Sequence, residues 1–232
     1  MAKYYIHCCP KREWYVNEFL VPSMFEQGIQ KDDILIYNDV LKRGNLRAWV
    51  ESCEMLVNNS WADEVEGVWH LQDDIVLSKY FKEKTEEYDR GLVCGFTCYY
   101  DHEPEVGEYS LYEEKLWFSF PCIRIPNYLL INFVRWQKTN LWRNPYFREC
   151  VTRGKGDDLV FREYLYYHHS DVKHLNLSPN LVDHIDYLLG GSTVNKWREV
   201  SQPTRSVRSG LWEDNGEVDE LIDKLKRGGY YG

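Results

Sequence analysis

"VWHLQDDIVLSKYF", residues 68–81, decides the fold, because it sets an apolar run against two adjacent carboxylates, Asp73 and Asp74. Neighbouring carboxylates repel one another and resist dehydration, so such a pair is either solvated at a turn or held by a cation. The apolar residues just before it, "VEGVWHL" (65–71), read as a strand. Upstream, "KYYIHCC" (3–9) reads as a first strand, and "EWYVNEFLVPSMFEQG" (13–28) as a helical segment closed near Gly28. "DDILIYND" (32–39) reads as a second, buried strand, and "GNLRAWVESCEMLVNN" (44–59) carries Leu46, Trp49, Val50 and Leu56 at helical spacing. Strands alternating with helices predict an α/β fold built on a parallel sheet.

Downstream, "IVLSKYFKEKTEEY" (75–88) reads as a helix and "GLVCGFTCYY" (91–100) as another apolar strand. "EEKLWFSFPCIRIP" (113–126) is read as a further strand and "NYLLINFVRWQKTN" (127–140) as an amphipathic helix. "GDDLVFREYLYYHH" (156–169) begins with acids, as helix N-termini favour, and "LNLSPNLVDHI" (175–185) is a short extended piece with a turn. From residue 201 the composition turns polar and turn-rich, which predicts a C-terminal tail (201–232) with one short helix at 218–225 behind a domain spanning 1–200. That domain divides into a first half of about residues 1–80 and a second of about 81–200.

Composition narrows the function. At 232 residues, 44% hydrophobic and 28% charged, the chain has the profile of a globular protein with one substantial core. Its formal net charge of −9 disfavours non-specific binding to nucleic acid or anionic membranes. No window approaches the length of a membrane span, and the first fifteen residues lack a signal-type apolar core. Seven cysteines, an odd number without a CxxC pair, fit reduced thiols in a cytoplasm and argue against a zinc ribbon. There is no P-loop and no GxGxxG, which excludes the standard phosphate-binding loops.

In open α/β sheets ligands bind at the carboxyl ends of the strands, and the polar residues following all three early strands fall on that edge. The acid pair there can hold a hard divalent cation, or it can serve as a turn or helix cap. His184, between Asp183 and Asp186, can complete an oxygen-rich site, although a lone histidine is more often simply hydrogen-bonded. His7, His70, His102, His168, His169 and His174 show no such partner in sequence. Asp157 and Asp158, at a helix start, can serve as a general base or as a cap. Arg12 after the first strand, and Lys42, Arg43 and Gly44 in "LKRGN" (41–45) after the second, can approach a phosphate.

In order, "YYIHCCPKREWYVNEFLVPSM", "ILIYND", "GNLRAW" and "GVWHLQDDI" resemble a glycosyltransferase of the A-type (GT-A) fold, of a compact bacterial or phage-like kind. In that family an acidic triplet closes the strand after a Rossmann-like nucleotide-binding half, and the resemblance implies a mixed, mainly parallel sheet flanked by helices. "LWFSFPCIRIPNYLLINFVRW" is similar to the acceptor-side strand and helix of such enzymes, and "SPNLVDHI" is similar to their late "PSLVQHIG" segment. The resemblance covers residues 3–195 and implies metal-dependent transfer of a sugar from a nucleotide-sugar, a UDP-sugar first among them, to an acceptor hydroxyl. It implies Asp74 and His184 as ligands of Mn²⁺ or Mg²⁺, with Asp73 assisting the metal or touching the ribose. Arg12, Asp39 and Asn45 would border the nucleotide, and Asp158 or Asp157 would face an acceptor that is a glycan, protein, lipid headgroup, small molecule or modified DNA base. Gln72 departs from the pattern, standing where the family's triplet begins with an acid. A two-metal phosphoesterase or nuclease and a non-catalytic carbohydrate-binding or scaffold module are the competing readings. The small basic cluster "TRSVRS" (204–209) is the one feature that suits a DNA acceptor.

Overall fold

A computed structural model of the chain describes residues 2–59, 61, 63–98, 107–110, 117–118, 120–140, 143–145, 148–149, 156–177, 180–186, 189 and 223. The expected tail helix and the basic "TRSVRS" lie outside the described residues, apart from Asp223, which is helical.

Alternating apolar residues in β1 (Tyr4–Cys8) bury both of its faces, the mark of a central strand. Tyr4, Ile6 and Cys8 face one core and Tyr5 the other. On one flank β1 pairs in parallel with β2 (Ile34–Asn38), and on the other in parallel with β3 (Gly67–Gln72). The sheet continues through β9 (Cys122–Pro126), β5 (Leu92–Cys94), β10 (Lys173–Asn176) and β7 (Gly107–Ser110), giving the order β2-β1-β3-β9-β5-β10-β7, while β6 (Thr97–Cys98) and β8 (Trp117–Phe118) pair antiparallel in a separate two-stranded sheet. Strands β9 and β7 run antiparallel to their neighbours while β2, β1, β3, β5 and β10 share one direction, so the sheet is mixed and mainly parallel. This is the expected α/β class with a Rossmann-like arrangement.

Helices cover both faces. On one face lie α1 (Glu13–Tyr15), a π-helical turn (Val16–Leu20) and α2 (Val21–Glu26), which put Tyr15, Val16, Leu20 and Met24 on Ile6, Trp69 and Leu71. Gly28 follows with φ of 78°, a left-handed conformation that suits glycine and closes the segment as expected. On the other face α3 (Asn45–Asn58), α5 (Asn127–Asn140) and α6 (Asp157–His168) bury an aromatic layer of Trp49, Phe133 and Phe161 with ring centroids 5.0–5.6 Å apart. Among the described residues no helix is long and apolar enough to cross a membrane.

Two expectations change. Residues 75–88 are not one helix: Ile75–Leu77 form β4, and α4 starts only at Phe81 and runs to Glu87. A three-residue apolar run followed by Ser78 lacks the length to nucleate a helical turn, and β11 (Val182–His184) offers it a strand partner instead. The second strand is not buried either: β2 ends the sheet order, and Ile36 on it is 40% exposed. An apolar composition fits an edge strand as readily as a central one, because periodicity does not count neighbours.

Candidate functional site

Parallel pairing brings three loops together at one edge. His7 of β1 sits level with Gln72 of β3, so the residues that follow each strand emerge side by side. The turn after β1 is closed by the Arg12 amide donating to the Cys9 carbonyl at 2.9 Å. This turn carries the Arg12 guanidinium back over the acid pair. Its Nη1 donates to Asp73 Oδ1 at 3.0 Å and also to Asp74 Oδ2. The Cys9 amide donates to Asp73 Oδ2 at 2.6 Å. Both carboxylates are only 5% exposed and Arg12 only 3%, which settles the first question about the pair: it is held by a cation rather than solvated.

His184 arrives by a different route. Antiparallel pairing of β11 with β4 sets His184 opposite Ile75, and the Ile185 amide donates to the Asp74 carbonyl at 2.8 Å. The imidazole Nε2 then lies 3.0 Å from Asp74 Oδ2. Burial alone would raise the Asp74 carboxyl, but Arg12 and His184 outweigh it and hold Asp74 well below the usual carboxylate range. Asp73 moves the other way, raised by burial and by the neighbouring Asp74 charge. Burial opposes charge on His184, yet the Asp74 carboxylate prevails and raises it. Asp74 Oδ1 is buried and accepts no hydrogen bond, so one acceptor of the pair stays open.

A second cluster lies on the same edge, after β2. The Asp39 carboxylate accepts the amides of Arg43 at 3.0 Å and Gly44 at 3.1 Å. Its oxygens thus shape a loop that passes through left-handed Lys42 (φ 51°) and Gly44 (φ 89°) into α3. The Arg43 side chain turns to Glu51. At the start of α3, Asn45 Nδ2 donates to Asp157 Oδ1 at 2.7 Å, tying the N-terminus of α3 to that of α6. Asp157 is 2% exposed, and burial followed by the Asp158 charge pushes its carboxyl up to about 8. Asp158 is less buried; its Oδ1 accepts the Leu159 amide at 2.8 Å and lies over Gly156, whose missing Cβ would approach it to 2.3 Å.

The sequence-predicted residues therefore gather in two groups: Arg12, Asp73, Asp74 and His184 in one, Asp39, Asn45 and Asp157 in the other. His7 belongs to both electrostatically. It ends β1 with its ring 6.1 Å from that of Tyr37, and the charges of Asp39 and Asp74 both act on it. Burial outweighs them and lowers it to about 4, leaving a neutral imidazole beside the acids. His70, on β3 and level with Tyr5 of β1, is 2% exposed, and burial lowers it to about 3. Both histidines looked partnerless in sequence; the signal that could have placed them is the alternation that points Tyr5, His7 and Tyr37 to one face of paired strands. His168 and His169 instead pack against the Tyr164 ring at 5.3 and 5.4 Å, away from the acids. Cys8, Cys9, Cys53, Cys94 and Cys122 are free thiols, and burial with the Asp73 charge raises the Cys9 thiol to about 12, which favours its protonated form.

Among the described residues no three His, Cys, Asp or Glu side chains surround a single metal position. The donors that do converge are Asp74, with its open Oδ1, and His184. A divalent ion of the phosphate-binding kind takes one or two carboxylates and completes its shell with phosphate and water, so this donor set fits such an ion bound together with a diphosphate. Comparison with protein-family models and with curated proteins finds no match to this chain.

Proposed function

We propose that the chain is a metal-dependent glycosyltransferase that moves a sugar from a nucleotide-sugar, a UDP-sugar in the first instance, to an acceptor hydroxyl. The observation that carries this reading is the buried Asp73–Asp74 pair, locked by Arg12 and His184 at the carboxyl edge of three parallel strands. Two buried carboxylates cost several kcal/mol of desolvation each unless compensated, and a merely structural turn has no need of them. Their position is where α/β sheets bind nucleotides. The resemblance of the sequence to A-type transferases supports the same reading.

In this mechanism Asp74 and His184 would hold Mn²⁺ or Mg²⁺, and the ion would supply positive charge against the departing nucleoside diphosphate. Asp73 fixes the Cys9 amide and with it the turn that carries Arg12. Arg12 supplies a guanidinium for the phosphate oxygens. The loop shaped by Asp39 and the α3 N-terminus at Asn45 border the nucleotide. Asp157 anchors α6 to α3, and Asp158, the more open of the two, takes the acceptor proton in a reaction that inverts the anomeric centre. The acceptor is any hydroxyl that reaches Asp158.

The test is a thermal-shift screen of nucleoside diphosphates and sugar nucleotides with and without Mn²⁺. The expected result is a rise in melting temperature with UDP and Mn²⁺ together, about 2.7 kcal/mol of stabilisation at a hundredfold excess over Kd. Asp74→Asn removes the Mn²⁺-dependent part of the shift and abolishes transfer. Absence of a shift with every nucleoside diphosphate, with or without Mn²⁺, refutes the proposal.

A further inference from the structure

Arg12 sits where a divalent ion would compensate the acid pair: one nitrogen, Nη1, contacts Asp73 and Asp74 together, and the guanidinium is 3% exposed. The three side chains carry two negative charges and one positive, and Asp74 Oδ1 is the acceptor left open. A divalent ion approaching Oδ1 meets a buried guanidinium already in contact with the other oxygen of the same carboxylate. Charges at contact range in an interior of effective dielectric near 20 repel strongly enough to cost a factor of about ten or more in affinity. A diphosphate reverses this balance, since it offers Arg12 an acceptor better suited to the guanidinium fork than a shared carboxylate nitrogen contact.

We infer that Arg12 is a tethered cation that keeps the divalent ion off the Asp73–Asp74 pair until a diphosphate draws the guanidinium away, so that metal and nucleotide bind as a unit. The inference rests on the transferase reading and adds an order of binding to it. The short turn after β1 makes such a move local. Arg12 lies between the Cys9 amide, which donates to Asp73, and the first helical residue, Glu13, and its backbone is held by the Cys9 carbonyl at 2.9 Å and the Val16 amide at 3.0 Å, bonds in which the guanidinium takes no part. In the resting protein the arrangement also prevents two buried carboxylates from facing each other uncompensated.

The test follows free Mn²⁺ by electron paramagnetic resonance during titration of the full chain, with protein-free controls for Mn²⁺ bound by UDP alone. The wild-type chain binds Mn²⁺ weakly by itself and at least about tenfold more tightly with saturating UDP. Arg12→Met binds Mn²⁺ alone at least about tenfold more tightly than wild type and gains less from UDP, whereas Arg12→Lys, which keeps the charge, stays near wild type. Equal Mn²⁺ affinity in wild type and Arg12→Met overturns the inference, as does a wild-type affinity that UDP leaves unchanged; the latter arm decides alone if Arg12→Met does not fold. The transferase reading fails differently, by the absence of any nucleoside-diphosphate thermal shift. A chain that shifts with UDP and Mn²⁺ but binds Mn²⁺ equally well after Arg12→Met keeps its transferase assignment and loses the tethered cation.

Discussion

Arg12→Met puts the central claim about the acid pair under the most direct strain. The wild-type guanidinium is 3.0 Å from Asp73 Oδ1 and also contacts Asp74, with all three side chains almost fully buried. At an effective dielectric of about 20, a unit pair at that distance attracts by roughly 5 kcal/mol, and desolvation offsets a large part of it. Methionine matches the length of the arginine stem but removes the cation that the two buried carboxylates share, leaving His184 on Asp74 at 3.0 Å, and losing one partner of a buried pair typically costs about 3–5 kcal/mol. For a chain of 232 residues that lowers the melting temperature by about 6–20 °C, within the stability of an ordinary domain.

The pH dependence of that loss separates charge from packing. In the wild type Asp74 is held below its ordinary value of 3.8, so the stability it contributes is present above that pH and declines as the solution becomes more acidic. Without Arg12, burial and the neighbouring Asp74 charge raise the Asp73 carboxyl in the folded chain still further above its unfolded value, while His184 continues to favour the Asp74 carboxylate. The folded variant then takes up protons first and gains stability as pH falls toward 4. Urea denaturation of both proteins between pH 4 and 8 therefore shows a gap that is widest at pH 7–8 and narrows toward pH 4. A gap below about 1 kcal/mol at pH 7, or one that keeps the same size at pH 4.5, refutes the view that Arg12 compensates a buried ionised pair.

Asp157 gives a second pH signature of opposite sense: its carboxyl is pushed up to about 8, so the folded chain holds that proton more tightly than the unfolded one and loses stability as pH rises from 4 through 8. Asp157→Asn keeps the shape and flattens this slope in urea midpoints measured from pH 5 to 9; an unchanged slope shows that the slope does not come from Asp157. Asp158→Asn lowers the rate of sugar transfer by about 10²–10⁴ while leaving the UDP and Mn²⁺ thermal shift intact, and retention of full activity removes it as the base. Gly67→Ala pushes a Cβ to 2.7 Å from the Ile125 carbonyl and 2.9 Å from Pro126 Cα, both backbone atoms that cannot swing aside. It destabilises the chain by about 1–3 kcal/mol in the same urea assay, and a neutral result contradicts the β3–β9 pairing.

What the sequence reveals, and what it hides, follows from the range of the interactions. Local pattern was sufficient for β1, β3, α3, α5 and α6, because period and capping chemistry reside within each segment. It was insufficient for β4 and for the edge position of β2, since both depend on which strand lies alongside. The same limit hides the place of β9, which inserts antiparallel between β3 and β5 although it begins 50 residues after β3 ends at Gln72 and 28 after β5 ends at Cys94. At the site, the acid pair and the acidic start of α6 were visible as residue types in suggestive places. Their roles were not, because each depends on a partner far off in sequence: Arg12 is 61 and 62 residues from the acids it bridges, and Asn45 is 112 from Asp157. Asp39, which the resemblance places at the nucleotide, has its oxygens on amides four and five residues away, a local contact that shapes the loop leading into α3. Parallel strands explain both outcomes. They stack the loops of distant segments on one edge, so the residues that meet there are set by sheet order rather than by spacing, and the Arg12 bridge becomes legible only when β1 is known to lie beside β3.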